Sequence, residues 1–186
     1  GIAGAGNSGT VLAAIFAPGL AHLFGWQNVF GLALIPLSIT LIVFMLLARN
    51  APSRPAPKAL ADYAHALRDV DSWWFMFFYS VTFGGFIGLA SALPGYFSDQ
   101  YGLNPVTAGY YTAACVMAGS LMRPLGGALA DRIGGIRALL YMYGIAAVCI
   151  AVVGFNLPDS WAALAFFVAA MLGLGTGNGA VFQLVP

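Results

Sequence analysis

No glutamate occurs in this chain of 186 residues, its six acidic residues are all aspartates, and charged side chains make up only 7% of the total. Soluble domains carry roughly a quarter, so a fold with a water-facing surface all round is excluded. The two cysteines, Cys115 and Cys149, fall in separate apolar runs, which argues against a disulfide-stapled secreted scaffold and for buried thiols. Both histidines, His22 and His65, lie in polar gaps between apolar runs. A redox-enzyme subunit that ligates haem through paired intramembrane histidines therefore has no ligands here. A net charge of +1 offers no field for nucleic acid or acidic partners. What the chain has in quantity is apolar: 61% hydrophobic residues and a mean hydropathy of +0.88.

About 20 apolar residues, at 1.5 Å rise each, cross a hydrocarbon core of roughly 30 Å. Six segments qualify, approximately 1–17, 29–48, 73–97, 106–130, 138–155 and 161–185. The expected fold class is all-α, a polytopic transmembrane helix bundle in a lipid bilayer. Breakers stand between the segments: Pro18 and Gly19, Asn104 and Pro105, Gly134 and Gly135, and Pro158. The first run begins at Gly1 with no signal peptide ahead of it, which reads as a piece of a longer polypeptide. Arg49, Arg54, Lys58 and Arg68 occupy the second gap, and Arg132 and Arg137 the fourth. By the positive-inside rule these gaps, 49–71 and 131–137, are cytoplasmic, and the first span runs outward. Within the second gap, 49–57 holds three prolines and reads as an extended linker. Lys58 to Asp69 then spaces Leu60, Tyr63, Ala64 and Leu67 along one face, which predicts a short amphipathic helix on the inner membrane surface.

The remaining basic residue, Arg123, stands alone inside the fourth apolar run. An arginine at a span centre costs about 2.5 to 3.5 kcal/mol on insertion scales, which makes it a functional candidate by default. The competing reading is that it snorkels to the inner interface or bonds backbone carbonyls. No acidic residue lies inside any of the six segments, so its counter-charge is expected from helices outside this chain or from a bound anion. Counted at helical rise, Arg123 and Asn178 lie roughly 12 Å from the inner ends of their spans and Tyr79 roughly 10 Å, with Phe83 one turn deeper. A guanidinium fork, an amide, a phenol and an aromatic face at one depth suit a small planar oxyanion. Two glycine clusters each include an asparagine, Asn7 between Gly4 and Gly9 and Asn178 between Gly175 and Gly179. For most glycines in the spans, close helix packing is the simpler explanation. An amide at membrane depth, however, needs partners, and a glycine-lined backbone beside it is open to a ligand.

The stretch Gly127 to Arg137, with Asp131, Arg132 and Gly134, resembles the signature cytoplasmic loop of the major facilitator superfamily, and Gly25, Trp26 and Phe30 resemble the entry to its sixth helix. Within that superfamily, residues 4–9 resemble the nitrate signature of the nitrate/nitrite porter family. Residues 79–88 and 121–127 are similar to that family's seventh and eighth helices, and 177–186 to its tenth. The resemblance implies a twelve-helix cell-membrane carrier, in bacteria an inner-membrane one, of which this chain holds the fifth to tenth helices. Residues 1–48 would then end the N-terminal bundle, 49–71 form the central linker, and 72–186 begin the C-terminal bundle, the other helices being partners in the same polypeptide.

The same resemblance implies that Arg123 contacts nitrate or nitrite, that Phe83 stacks on it, and that Tyr79, Asn7 and Asn178 add hydrogen bonds. Asp131 and Arg132, at a glycine-rich turn with Gly127 and Gly134, are the expected conformational gate. The expected function is alternating-access transport without catalysis or cofactor, tilted toward nitrate/nitrite exchange because no intramembrane carboxylate or histidine offers a proton relay. A facilitator for another anion or organic solute, and a non-transporting anion sensor, remain alternatives.

Overall fold

The computed structural model describes residues 6–49, 67–181 and 184. Among these every regular element is helical. Helix α1 is Ser8–Phe24, α2 Trp26–Leu47, α3 Val70–Tyr101, α4 Pro105–Ile133, α5 Gly135–Val153 and α6 Ser160–Val181. Five are long and apolar enough to cross a membrane, and α1 is a shorter apolar helix. The expected spans from 29–48 onward fall on α2 to α6. The amphipathic helix expected over Lys58 to Asp69 lies outside the described residues except for its last three.

Backbone chemistry sets the joints. Gly25 and Gly134 take φ of 79° and 89°, a region that a β-carbon disfavours. Their N–H groups close the preceding helices onto Ala21 and Ala130 carbonyls at 2.8 and 2.9 Å, so α1 turns into α2, and α4 into α5, through single residues. At the opposite end of α4, Asn104 Oδ1 accepts from the Thr107 amide at 2.9 Å and Pro105 occupies the first helical position. Gly102, in the left-handed region, ends α3 just before.

The first span departs from expectation. Pro18 and Gly19 do not end α1, which continues to Phe24. A proline inside a helix deprives the carbonyl four residues earlier of its donor, here Ala14. That carbonyl is met from α4 by Gly109, where any β-carbon would collide with it and would also lie 3.1 Å from Pro18 Cγ. Gly109 thus leaves room for α4 to pack closely on α1 beside the proline.

Helix α4 is the hub, packing against α6, α1 and α3, while α5 packs mainly on α6. The seam between α4 and α6 is built on glycine. A β-carbon on Gly126 would run into the Thr176 carbonyl, one on Gly175 into the Gly119 carbonyl, and one on Gly179 into the Arg123 carbonyl. Gly173 and Gly177 face the other way, toward Met142 on α5 and Thr82 on α3. Small residues allow such backbone contact where lipid supplies no hydrophobic drive between helices. Gly84 and Gly88 touch nothing that a β-carbon would meet among the described residues. The main core gathers Phe86, Leu93 and Phe97 from α3, Cys115 and Val116 from α4, and Met171 from α6. Both cysteines are buried and free.

Candidate functional site

Arg123 sits in the interior of α4, ten residues before its end at Ile133, which is about 15 Å at helical rise. It is only 7% exposed. Its guanidinium carbon lies 5.3 Å from the ring centroid of Phe83 and 5.0 Å from that of Phe86, both on α3. Two ring faces attract a desolvated cation by about 2 kcal/mol, yet they leave its charge in place. The described aspartates all lie in terminal turns or caps: Asp69 and Asp71 at the start of α3, Asp99 near its end, Asp131 near the end of α4, and Asp159 ahead of α6.

Tyr79 stacks on Phe83 with centroids 5.4 Å apart and planes 20° apart, the i, i+4 relation that puts two side chains over one another. It also lies within electrostatic range of the Arg123 guanidinium. Tyr79, Phe83 and Arg123 thus form one cluster drawn from two helices. Asn178, 1% exposed, comes in from α6 and donates from Nδ2 to Thr82 Oγ1 at 3.5 Å, while its neighbour Gly179 packs on the backbone of Arg123. Asn7, ahead of α1, is half-buried and donates to Ser120 Oγ at 3.2 Å, one turn before Arg123. Tyr79 and Phe83 thus lie by Arg123, Asn7 bonds Ser120 of the same helix α4, and Asn178 bonds Thr82 of α3.

The expected gating residues divide. Asp131 and Arg132 are exposed in the last turn of α4, directly before the positive-φ Gly134. Gly127 lies instead in the glycine seam, one turn after Arg123, with its backbone N facing Gly179. Phe86, Thr82 and Ser120 were not singled out in the sequence. Phe86 follows Phe83 by three residues and Ser120 precedes Arg123 by three, so helical spacing carried a signal for both. For Thr82, buried inside the π-helical turn Ser80–Gly84, there was none.

Among the described residues no group of three histidine, cysteine or acidic side chains converges as metal ligands. What the cluster offers is a planar fork of N–H donors beside aromatic faces, with a phenol, amides and hydroxyls close by. That set can hold a flat oxyanion and release it.

Long apolar helices that bury a cation between aromatic rings set the chain apart from soluble folds. The chain belongs to the Major Facilitator Superfamily, whose profile it matches over residues 1–186. It is similar to a "Probable nitrate/nitrite transporter NarK2" of Mycobacterium tuberculosis (36% identity over 188 residues, 100% of this chain and 47% of the relative). It is also similar to a "Nitrite extrusion protein" of Bacillus subtilis (30% over 186 residues, 100% and 47%) and to a "Probable nitrate transporter NarT" of Staphylococcus carnosus (33% over 190 residues, 100% and 48%). The chain spans about half the length of these curated relatives.

Proposed function

We propose that these helices belong to a carrier that moves nitrate and nitrite across the cell membrane by alternating access. The observation that carries the reading is the buried guanidinium of Arg123 held against Phe83 and Phe86 beside Tyr79. A trigonal anion fits a guanidinium edge-on through paired hydrogen bonds while an aromatic ring covers its face. Tyr79, Asn7 and Asn178 are the neutral donors of this site, with hydroxyls at Ser120 and Thr82 within their reach. The names of the similar proteins, which speak of nitrate and nitrite, favour this substrate over another anion.

Residues 1–48 and 72–186 act as two bundles that rock against each other, with α1 packed on α4 at Gly109 and Asn7 bonded to Ser120 among the contacts between them. Residues 49–71 and 131–137 face the cytoplasm, and Asp131, Arg132 and Gly134 at the end of α4 govern the exchange between states together with Gly127 in the seam. Nitrate/nitrite exchange is the favoured coupling, since the described acids stand at helix ends and not beside Arg123. Counterflow of isotopically labelled nitrate by the intact carrier in proteoliposomes, with and without a pH gradient, tests both points. Trans-stimulation by nitrite without dependence on pH supports exchange; uptake that requires the gradient replaces exchange by proton symport; failure to move either anion refutes the substrate assignment.

A further inference from the structure

Buried hydroxyls in an apolar helix commonly return their proton to the carbonyl one turn back. Thr112 does so to Ala108 at 2.9 Å, Thr176 to Leu172 at 2.7 Å and Thr82 to Phe78 at 3.1 Å. Ser120 of α4 differs. It is 5% exposed, its Oγ accepts from Asn7 Nδ2 at 3.2 Å, and among the described residues no carbonyl takes its proton. The amide engages a lone pair of the oxygen from the α1 side and leaves the O–H to serve another acceptor.

At about 100° per residue, Arg123 stands about 40° around α4 from Gly119 and about 60° from Ser120, so it projects between them. A β-carbon on Gly119 would meet Phe86 and the Met171 carbonyl, whereas Ser120 meets Asn7. Side chains on a helix lean toward the turn before them, which brings the Arg123 guanidinium level with these two residues. The Phe86 ring spans the same level: it lies against the Gly119 position, and its centroid is 5.0 Å from the guanidinium carbon. The geometry points to Ser120 as a further anion-contacting residue, whose hydroxyl donates to an oxygen of the anion at Arg123 while Asn7 holds that hydroxyl in direction. The inference rests on the reading of Arg123 as the anion site. An oxyanion supplies the acceptor that the buried O–H needs, and a hydrogen bond to a charged acceptor is stronger than one to a neutral carbonyl. With two oxygens on the guanidinium fork, nitrate keeps a third for Ser120 and nitrite does not.

The test uses the intact carrier in detergent, with equilibrium binding of nitrate and of nitrite measured beside the unfolding temperature without either anion. Ser120→Ala is expected to weaken nitrate binding by about 10- to 100-fold, the worth of a hydrogen bond to a charged group, and nitrite binding by a clearly smaller factor. The unfolding temperature should change little, since Asn7 is only half-buried and its amide keeps access to water. Ser120→Cys fills nearly the same space with a weak S–H donor and carries the same test where alanine costs the fold. Unchanged nitrate affinity overturns the inference. So does an equal loss for both anions, the mark of a tie between α1 and α4 that acts on every ligand alike. Either result alongside an Arg123→Lys variant that no longer binds leaves the anion site standing. Unimpaired nitrate binding in Arg123→Lys removes the site itself, and this inference with it.

Discussion

The guanidinium carbon of Arg123 lies 5.0 Å from the ring centre of Phe86, a side chain only 1% exposed. One turn before Arg123 on the same helix, a β-carbon on Gly119 would come within 2.5 Å of both Phe86 Cε2 and the Met171 carbonyl oxygen. Gly119 therefore makes room for Phe86, Phe86 forms a floor for Arg123, and the backbone seam between α4 and α6 reaches the candidate site through one aromatic ring.

Gly119→Ala tests that chain of contacts. The added methyl group has to displace the Phe86 ring or part α4 from α6, and overpacking of this kind costs about 1 to 3 kcal/mol. A lowered unfolding temperature in detergent, accompanied by weaker nitrate binding, is the expected outcome. Loss of stability with nitrate affinity intact would show that Phe86 does not set the place of Arg123.

Arg123→Lys keeps the charge but replaces a planar fork by a point ammonium, which cannot bind a trigonal anion through two parallel hydrogen bonds. Nitrate uptake is expected to fall to background at matched membrane expression. Uptake close to wild type would remove Arg123 from the site.

Phe83→Leu separates stacking from packing. Alanine would open a void as well as remove a ring, whereas leucine keeps most of the apolar volume. With both its contact to the guanidinium and its face toward a planar anion gone, nitrate and nitrite binding are expected to weaken by roughly 5- to 30-fold, the equivalent of about 1 to 2 kcal/mol. The unfolding temperature should change little. Unaltered affinity in this variant would reduce Phe83 to a packing residue.

Asp131→Asn addresses the cycle instead of the site. Asp131 is exposed in the last turn of α4, eight residues or roughly 12 Å along the helix from Arg123, too far to touch the same anion. Exchange is expected to slow while equilibrium nitrate affinity stays within about two-fold, because a group that biases the two states acts on their interconversion. A large loss of affinity would contradict the gating role.

The spans were legible because the bilayer imposes a local rule: any helix that crosses it needs about 20 apolar residues in succession, and polar gaps mark its ends. Arg123 was legible for the same reason, since one charge in an apolar run stands out whatever surrounds it. Tyr79 and Asn178 could be matched to its depth by counting residues, and the structure stacks Tyr79 on Phe83, which faces Arg123, and carries Asn178 to Thr82. Proline, by contrast, misled at residue 18. A local rule predicted a break, and α1 instead runs on to Phe24 with Gly109 of α4 packed beside Ala14 and Pro18.

Which way each helix faces is the part that only the tertiary structure could decide. These helices are apolar toward lipid and apolar toward one another, so no periodicity in the sequence separates the two sides. That α6 turns Gly175 and Gly179 to α4 but Gly173 and Gly177 to α5 and α3 follows from packing alone. So does the place of Phe86 under Arg123, and so does the bond from Asn7 to Ser120. Hydropathy determined that these segments are membrane helices and that one of them carries a costly charge. The rotation of each helix about its axis, set by backbone contacts between residues far apart in the chain, determined what that charge meets.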